Sequence, residues 1–316
     1  MNLQPYRLVV VTPVYEDVAA SSRLFSELAR EFAGQLFVLA VDDGSVHQPL
    51  PLDSLQRAGV AGKVLRLRRN LGHQRAIAVG LAHVAAHLSE QQEVVVMACD
   101  GEDLPGSVPA LVQALAAQPL DALVAQRRSR VESWRFKLFY AVYKRLFRLL
   151  SGRTLNFGNF MALTPAAVRR LVAMPELPIH LAGSLIAARL RVGTLAVDRG
   201  PRYAGQSKMN FVGLALHGFK ALMVFAEDVL VRVGIACALI AALAVLGMLA
   251  ATSLKLLGFS TPGWFSVALG LLLLLFLQTG ALALMSLMLS GVVRGGVSLG
   301  QADHALLETE GDDGAR

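Results

Sequence analysis

Charge is what this chain goes longest without. No Asp, Glu, Lys or Arg occurs over residues 233–254, and after Lys255 none recurs before Arg294. Each stretch exceeds the about 20 apolar residues that a helix needs to cross a hydrocarbon core. Pro262 and Gly263 break the second stretch, so the pattern predicts helices over about 233–254 and 264–292, joined by a turn. The plainer alternative is a pair of buried helices in a large soluble core. Cysteine is nearly absent: Cys99 and Cys237 exclude a disulfide framework and a cysteine zinc site. No targeting signal precedes the first apolar run, which Glu16 and Asp17 end at once, so the N-terminal part is expected in the cytosol. Lys220, Arg232 and Arg294 flank the outer ends of the apolar pair against Lys255 in its turn, which agrees with that orientation. The net charge of +7 comes without any finger or RNP signature, so nucleic acid is excluded as a partner. Anionic headgroups and phosphorylated substrates suit the basic excess better.

The first 120 or so residues alternate short apolar runs with helical spacing. Runs at 8–11, 36–41, 64–67, 94–97 and 122–125 read as strands. Leu24, Leu28 and Phe32 share one helix face, and Ile77, Leu81 and Val84 share another within a helix over about 73–87. Alternation of this kind predicts an α/β fold, a mostly parallel sheet with helices on both faces. Residues 134–150 place Phe139, Val142, Tyr143, Leu146 and Leu150 on one face, ringed by Arg135, Lys137, Lys144, Arg145 and Arg148. That is the pattern of a helix lying in a membrane interface, and also of an amphipathic helix packed on the sheet. A similar helix over 211–231 is expected to run along the membrane surface into the first span.

The strand ending at Met97 runs into Asp100, Gly101, Glu102 and Asp103. Open α/β sheets carry their ligand sites beyond the carboxyl ends of their strands. Carboxylates gathered there repel one another unless a cation intervenes, and oxygen ligands suit Mg²⁺ or Mn²⁺ and hence a diphosphate. Taken alone, the cluster equally reads as an acidic turn before a helix that starts near Ser107. Three more strand ends point to the same edge: Thr12 to Asp17, Asp42-Asp43-Gly44-Ser45, and Arg69-Asn70-Leu71-Gly72-His73.

The segments PVYED, VDDGS, RNLGHQRAIAVGLAH and CDGEDLP resemble the family 2 glycosyltransferases of GT-A fold. With RYAGQSKMNF and the apolar C-terminal pair, the chain is most similar to polyprenyl-phosphate glycosyltransferases over about residues 5–295. These include dolichyl-phosphate mannose synthases and undecaprenyl-phosphate glucosyl- and aminoarabinosyl-transferases. The resemblance implies a GT-A domain at 1–205, a juxtamembrane amphipathic helix at 206–232, two transmembrane helices within 233–293, and a cytosolic, disordered acidic tail at 294–316. It implies an enzyme of a bacterial-type inner membrane with its catalytic domain on the cytosolic face. The reaction implied is inverting transfer from a nucleotide diphosphate sugar, UDP-linked ahead of GDP-mannose, to polyprenyl phosphate, with Mg²⁺ or Mn²⁺ as cofactor. A homo-oligomer stays among the partners the sequence allows.

By the resemblance, Pro13, Tyr15 and Asp17 begin the donor pocket, and Asp42 and Asp43 hold base and ribose. Asp100 is the metal-binding and catalytic Asp of D-x-D, with Glu102 beside the metal. Arg127, Arg130, Ser133 and Arg135 match the acceptor-phosphate cluster, and Arg202, Gly205, Ser207 and Lys208 the donor-phosphate element. The catalytic group is then Asp100, Arg127, Arg130 and Lys208. Arg127 and Arg130 also read as simple attraction to anionic lipid, and Lys208 as a snorkelling surface lysine. Two positions depart from the family: Ala98 replaces the first Asp of D-x-D, and Asn159 replaces the Asp of Gly-Asp-Phe. Those changes motivate a second reading, a non-catalytic nucleotide-sugar-binding relative. A processive polysaccharide synthase fits less well, because neither Trp134 nor Trp264 follows an Arg as its Q-x-x-R-W element requires.

Overall fold

The computed structural model describes residues 1–127, 134–154, 157–203, 211–259, 261, 263–294 and 307–310. Two compact units divide the chain, one of Met1–Lys137, Leu155–Val224 and Val297–Arg316, the other of Leu138–Thr154 and Phe225–Gly296.

The first unit is an α/β sheet. β1 (Leu8–Val14), α1 (Val18–Phe32) and β2 (Leu36–Asp42) lead through the short α2 (Ser54–Arg57) to β3 (Ala61–Leu67). α3 (His73–Ala85) and β4 (Glu93–Val96) follow, then α4 (Val108–Ala116) and β5 (Ala122–Arg127). Every residue of β1 and β2 is buried, as strands covered on both faces must be. β1 pairs in parallel with β2 and β4, and β2 with β3, so four carboxyl ends line one edge. Ile77, Leu81 and Val84 of α3 pack on one face. Leu24, Phe25 and Leu28 of α1, with Leu111 and Leu115 of α4, pack on the other.

The sequence did not announce the rest of the sheet. After α5 (Trp134–Ser151), β6 (Met161–Leu163) inserts antiparallel between β4 and β5, too short at three residues to show alternation. α6 (Pro165–Val172) and α7 (Leu181–Ala187) precede β7 (Val192–Val197), which runs parallel to β5. α8 (Phe211–Met223) completes the helices of this unit.

In the second unit, α9 (Ala226–Leu256) and α10 (Trp264–Arg294) are long and apolar enough to cross a membrane. Gly234, Ala241, Ala244 and Ala251 form the buried side of α9. Leu272 of α10 stands where a Cβ on Gly247 would meet it at 3.2 Å, so small residues let the two helices close on each other. Within the same unit Phe147 is buried edge-on against Phe225, with centroids 6.0 Å apart, and Arg232 donates to the Leu149 carbonyl at 3.2 Å. Val142, Leu146 and Leu149 remain exposed on α5.

Two boundaries differ from expectation. The helix expected over 211–231 stops at Met223, and a new one begins at Ala226. Glu227 and Asp228 therefore sit in the first turn of α9, where the helix dipole favours acids, rather than on an amphipathic surface helix. The acidic tail is not structureless throughout: β8 (Leu307–Glu310) pairs antiparallel with β3. The unpaired edge of β3 offers hydrogen bonds that outweigh the tail's polar composition there. The sheet order is then β7-β5-β6-β4-β1-β2-β3-β8.

Gln92 ties the chain start to β4. Its buried amide donates to the carbonyls of Leu3 and Tyr6 and accepts from Ser89 N–H at 2.8 Å. Gln92→Leu takes this donor from the Tyr6 carbonyl, while the Leu3 carbonyl keeps Tyr6 N–H at 3.0 Å, and costs about 1–3 kcal/mol, read as a lower thermal midpoint of the purified chain.

Candidate active site

A cleft of about 140 Å³ opens at the carboxyl edge of the sheet, lined by Pro13, Val14, Tyr15, Asp43, Asn70, Gly72 and His73. Its walls are the loops after β1, β2 and β3, which parallel pairing brings side by side. Tyr15 is exposed at the mouth. Asp43 is buried, and its two oxygens accept from Leu71 N–H at 2.7 Å and Gly72 N–H at 2.9 Å. Burial pushes its carboxyl above the usual range, against the lowering effect of those two donors.

The other predicted carboxylates here turn inward. Asp42 is fully buried: one oxygen accepts from Ser45 N–H and the other from Leu50 N–H, both at 3.0 Å, with Arg66 Nε at 3.4 Å. It shapes the 43–50 loop and is not on the cleft wall, contrary to its expected hold on base or ribose. Asp17 caps α1, one of its oxygens accepting from Ala20 N–H at 3.3 Å. Glu16, a residue the sequence did not single out, accepts from the backbone N–H groups of Val46, His47 and Gln48. Those donors, led by His47, hold its carboxyl below the usual range.

Beyond β4 the carboxylates meet guanidiniums. Asp100 accepts from Glu102 N–H at 3.1 Å through one oxygen, and Arg202 Nη2 lies 2.7 Å from the other. Arg202 Nε reaches Glu102 at 3.1 Å, and Arg199 pairs with Glu102 as well. Asp103 is buried and accepts from Ala98 N–H at 2.9 Å, which puts the third acid into the turn itself. The 199–203 segment is clamped to this turn. Gly200 N–H donates to the Glu102 carbonyl at 3.1 Å and Tyr203 N–H to that of Asp100 at 2.9 Å. Gly101 has φ +90°, and a Cβ there would stand 2.7 Å from the Tyr203 ring. Tyr203 in turn donates to Glu27 and lies under the Arg23 guanidinium, 4.3 Å from its ring centre. Arg199 is the residue the sequence reading missed; its signal was a second arginine three positions before Arg202.

Asp100 and Glu102 share one guanidinium, so their oxygens are close enough to share one cation. Among the described residues no three His, Cys, Asp or Glu side chains form a metal cage. Two carboxylates completed by substrate phosphate and water are nonetheless the usual Mg²⁺ environment, and the pair fits it. Arg130, Ser133, Gly205, Ser207 and Lys208 lie outside the described residues, as do the side chains of Arg127 and Arg135.

Behind the cleft, Asn159 Nδ2 is 3.2 Å from His73 Nε2. His180 Nδ1 accepts from Gly183 N–H at 3.0 Å, so its proton sits on Nε2, 3.1 Å from Nε2 of His217 on α8. Burial, and after it His217, push the His180 pKa down to about 3.

A parallel-strand edge bearing a cleft, an acid pair and two guanidiniums is the frame of a GT-A sugar transferase. The chain belongs to glycosyl transferase family 2, whose model matches residues 9–174, and it is a glycosyltransferase. It is 26% identical to an uncharacterized glycosyltransferase of Synechocystis, over 84% of this chain and 85% of that one. It is 27% identical to an undecaprenyl-phosphate 4-deoxy-4-formamido-L-arabinose transferase of Enterobacter, over 66% of this chain and 64% of that protein's length. In fold it resembles glucosyl-3-phosphoglycerate synthase from Mycobacterium tuberculosis. The phosphoglyceric acid complex gives a TM-score of 0.51 at 16% identity over 72% of this chain and 81% of that one. The complex with Mn²⁺ and UDP-glucose gives 0.50 at 14% identity over 72% and 80%.

Two outcomes follow from this geometry. Gly44 has φ +68°, and a Cβ would lie 2.3 Å from the Arg69 carbonyl carbon. Gly44→Ala strains the turn by about 1–3 kcal/mol and weakens hydrogen-exchange protection of the Leu71 and Gly72 amides; unchanged protection contradicts the bracing. Neutral His180 binds fewer protons folded than unfolded between about 3 and 6.5, so its stabilisation is present above 6.5 and lost as pH falls. The denaturation midpoint declines across that window, and His180→Gln flattens the decline.

Proposed function

We propose that the chain transfers a sugar, with inversion, from a nucleotide diphosphate donor to polyprenyl phosphate at the cytosolic face of a bacterial-type inner membrane. The observation that carries the reading is a division among the acids of the strand edge. Glu16, Asp42, Asp43 and Asp103 accept backbone N–H bonds and brace loops. Asp100, besides one backbone N–H, and Glu102 pair with the guanidiniums of Arg202 and Arg199, side chains at the surface of the turn. Those two are the acids that can change partner during a reaction.

The nucleoside occupies the cleft between Pro13, Tyr15 and Asp43, and a uridine donor is favoured over GDP-mannose. Asp100 and Glu102 hold Mg²⁺ or Mn²⁺, which when bound neutralises the donor diphosphate and its growing charge on departure. Arg202, with Ser207 and Lys208, binds the diphosphate, and guanidinium geometry suits it. Arg127, Arg130, Ser133 and Arg135 hold the acceptor phosphate. One of its oxygens attacks the anomeric carbon as the bond to the nucleoside diphosphate breaks on the opposite face. A phosphomonoester is already anionic at neutral pH, so Asn159 in place of a carboxylate base costs the reaction little.

The apolar helices α9 and α10 and the exposed Val142, Leu146 and Leu149 of α5 support a membrane site. A polyprenyl chain loses about 0.8 kcal/mol per CH₂ drawn into water, so the enzyme must meet the phosphate at the bilayer surface. The undecaprenyl-phosphate relative supports the same acceptor.

The test is full-length protein in lipid nanodiscs with undecaprenyl phosphate, Mg²⁺ and a panel of labelled UDP-sugars and GDP-mannose. Lipid-linked sugar with at least one donor is expected, and Asp100→Ala should cut its formation at least about a hundredfold, a loss of several kcal/mol. No product with any donor, or wild-type turnover in Asp100→Ala, contradicts the proposal.

A further inference from the structure

The acid pair beyond β4 already has counter-charges of its own. Arg202 bridges Asp100 and Glu102 at 2.7 and 3.1 Å, and Arg199 adds a second guanidinium to Glu102. These are charge-assisted hydrogen bonds, about twice as strong as neutral ones. They engage one oxygen of each acid, Oδ2 of Asp100 and Oε1 of Glu102, on the side the two carboxylates share. A cation arriving alone must therefore strip two arginines from the pair and leave them without acceptors.

The backbone that carries the arginines is held, while their side chains reach the surface of the turn, 38% and 27% exposed. Gly200 and Tyr203 fasten the segment through N–H bonds to Glu102 and Asp100, and a Cβ on Gly200 would stand 2.2 Å from the Gly101 carbonyl oxygen. A long arginine side chain can swing its guanidinium by several ångströms through rotamer changes alone. An exchange of partners thus needs no movement of the turn. The arriving nucleotide brings what the displaced guanidiniums require, phosphate oxygens in bidentate geometry.

We propose that Arg199 and Arg202 stand in for the divalent cation at Asp100 and Glu102 and yield those carboxylates only when the cation arrives with a nucleoside diphosphate, whose oxygens then receive the guanidiniums. The inference rests on the donor reading above and adds to it an order of binding and a role for Arg199. Nucleotide and cation bind as one unit, and neither acid is left without a counter-charge at any stage.

Free Mn²⁺ measured by electron paramagnetic resonance, over full-length protein in detergent with and without UDP, tests the exchange. UDP should tighten Mn²⁺ binding to the wild-type chain at least about tenfold, the scale of one charged hydrogen bond. Arg199→Gln and Arg202→Gln should each raise the affinity for Mn²⁺ alone by about tenfold and shrink the effect of UDP. Arg199→Lys keeps the charge and should keep the weak binding, which separates the exchange from a general loosening of the fold. Tight UDP-dependent Mn²⁺ binding with no change in either glutamine variant overturns the exchange and leaves the donor reading standing. Mn²⁺ that fails to bind even with UDP overturns both.

Discussion

Repulsion among carboxylates governs the carboxyl edge of this protein's sheet. Three of the parallel strands, β1, β2 and β4, deliver Glu16, Asp42, Asp43, Asp100, Glu102 and Asp103 to one rim, and like charges this close destabilise a fold unless each is answered. The answers come in two kinds. Backbone N–H groups take Glu16, Asp42, Asp43 and Asp103, and in doing so set the shapes of the 43–50, 69–72 and 98–103 loops. Guanidiniums take the outward side of Asp100 and Glu102. The first kind is permanent because the donors are part of the chain path. The second belongs to side chains, and in the proposed reaction it is the charge that the donor and its cation replace.

The glycines of the rim follow from the same constraint. Gly44 lets the second strand's loop press against the backbone at Arg69, which brings the Leu71 and Gly72 amides onto Asp43. Gly101 leaves room for the Tyr203 ring, and Gly200 lets the arginine segment lie against the acidic turn. Each absent side chain is a place where two segments of the rim approach closely.

Much of this was legible in the sequence. β1 to β5 and α3 announce themselves by apolar runs and helical spacing, and the acids that follow them fall at one edge because the strands are parallel. β6 was invisible, since three residues carry no period. The direction of each carboxylate was also beyond reach. Asp42 and Asp43 are adjacent in sequence, yet one is enclosed beneath its own loop and the other lines the cleft, a difference set by tertiary hydrogen bonds. Arg199 went unnoticed because its partner Glu102 lies nearly a hundred residues away.

In the proposed exchange, Asp100 and Glu102 trade guanidiniums for a cation that carries a diphosphate. Phosphorus-31 electron–nuclear double resonance of Mn²⁺ in the full-length protein with UDP reads that arrangement directly. Phosphorus coupling from a diphosphate bound to the protein-held ion is expected, and its disappearance in a variant lacking the Asp100 carboxylate. Protein-bound Mn²⁺ with no phosphorus neighbour, or coupling that survives without that carboxylate, would contradict it.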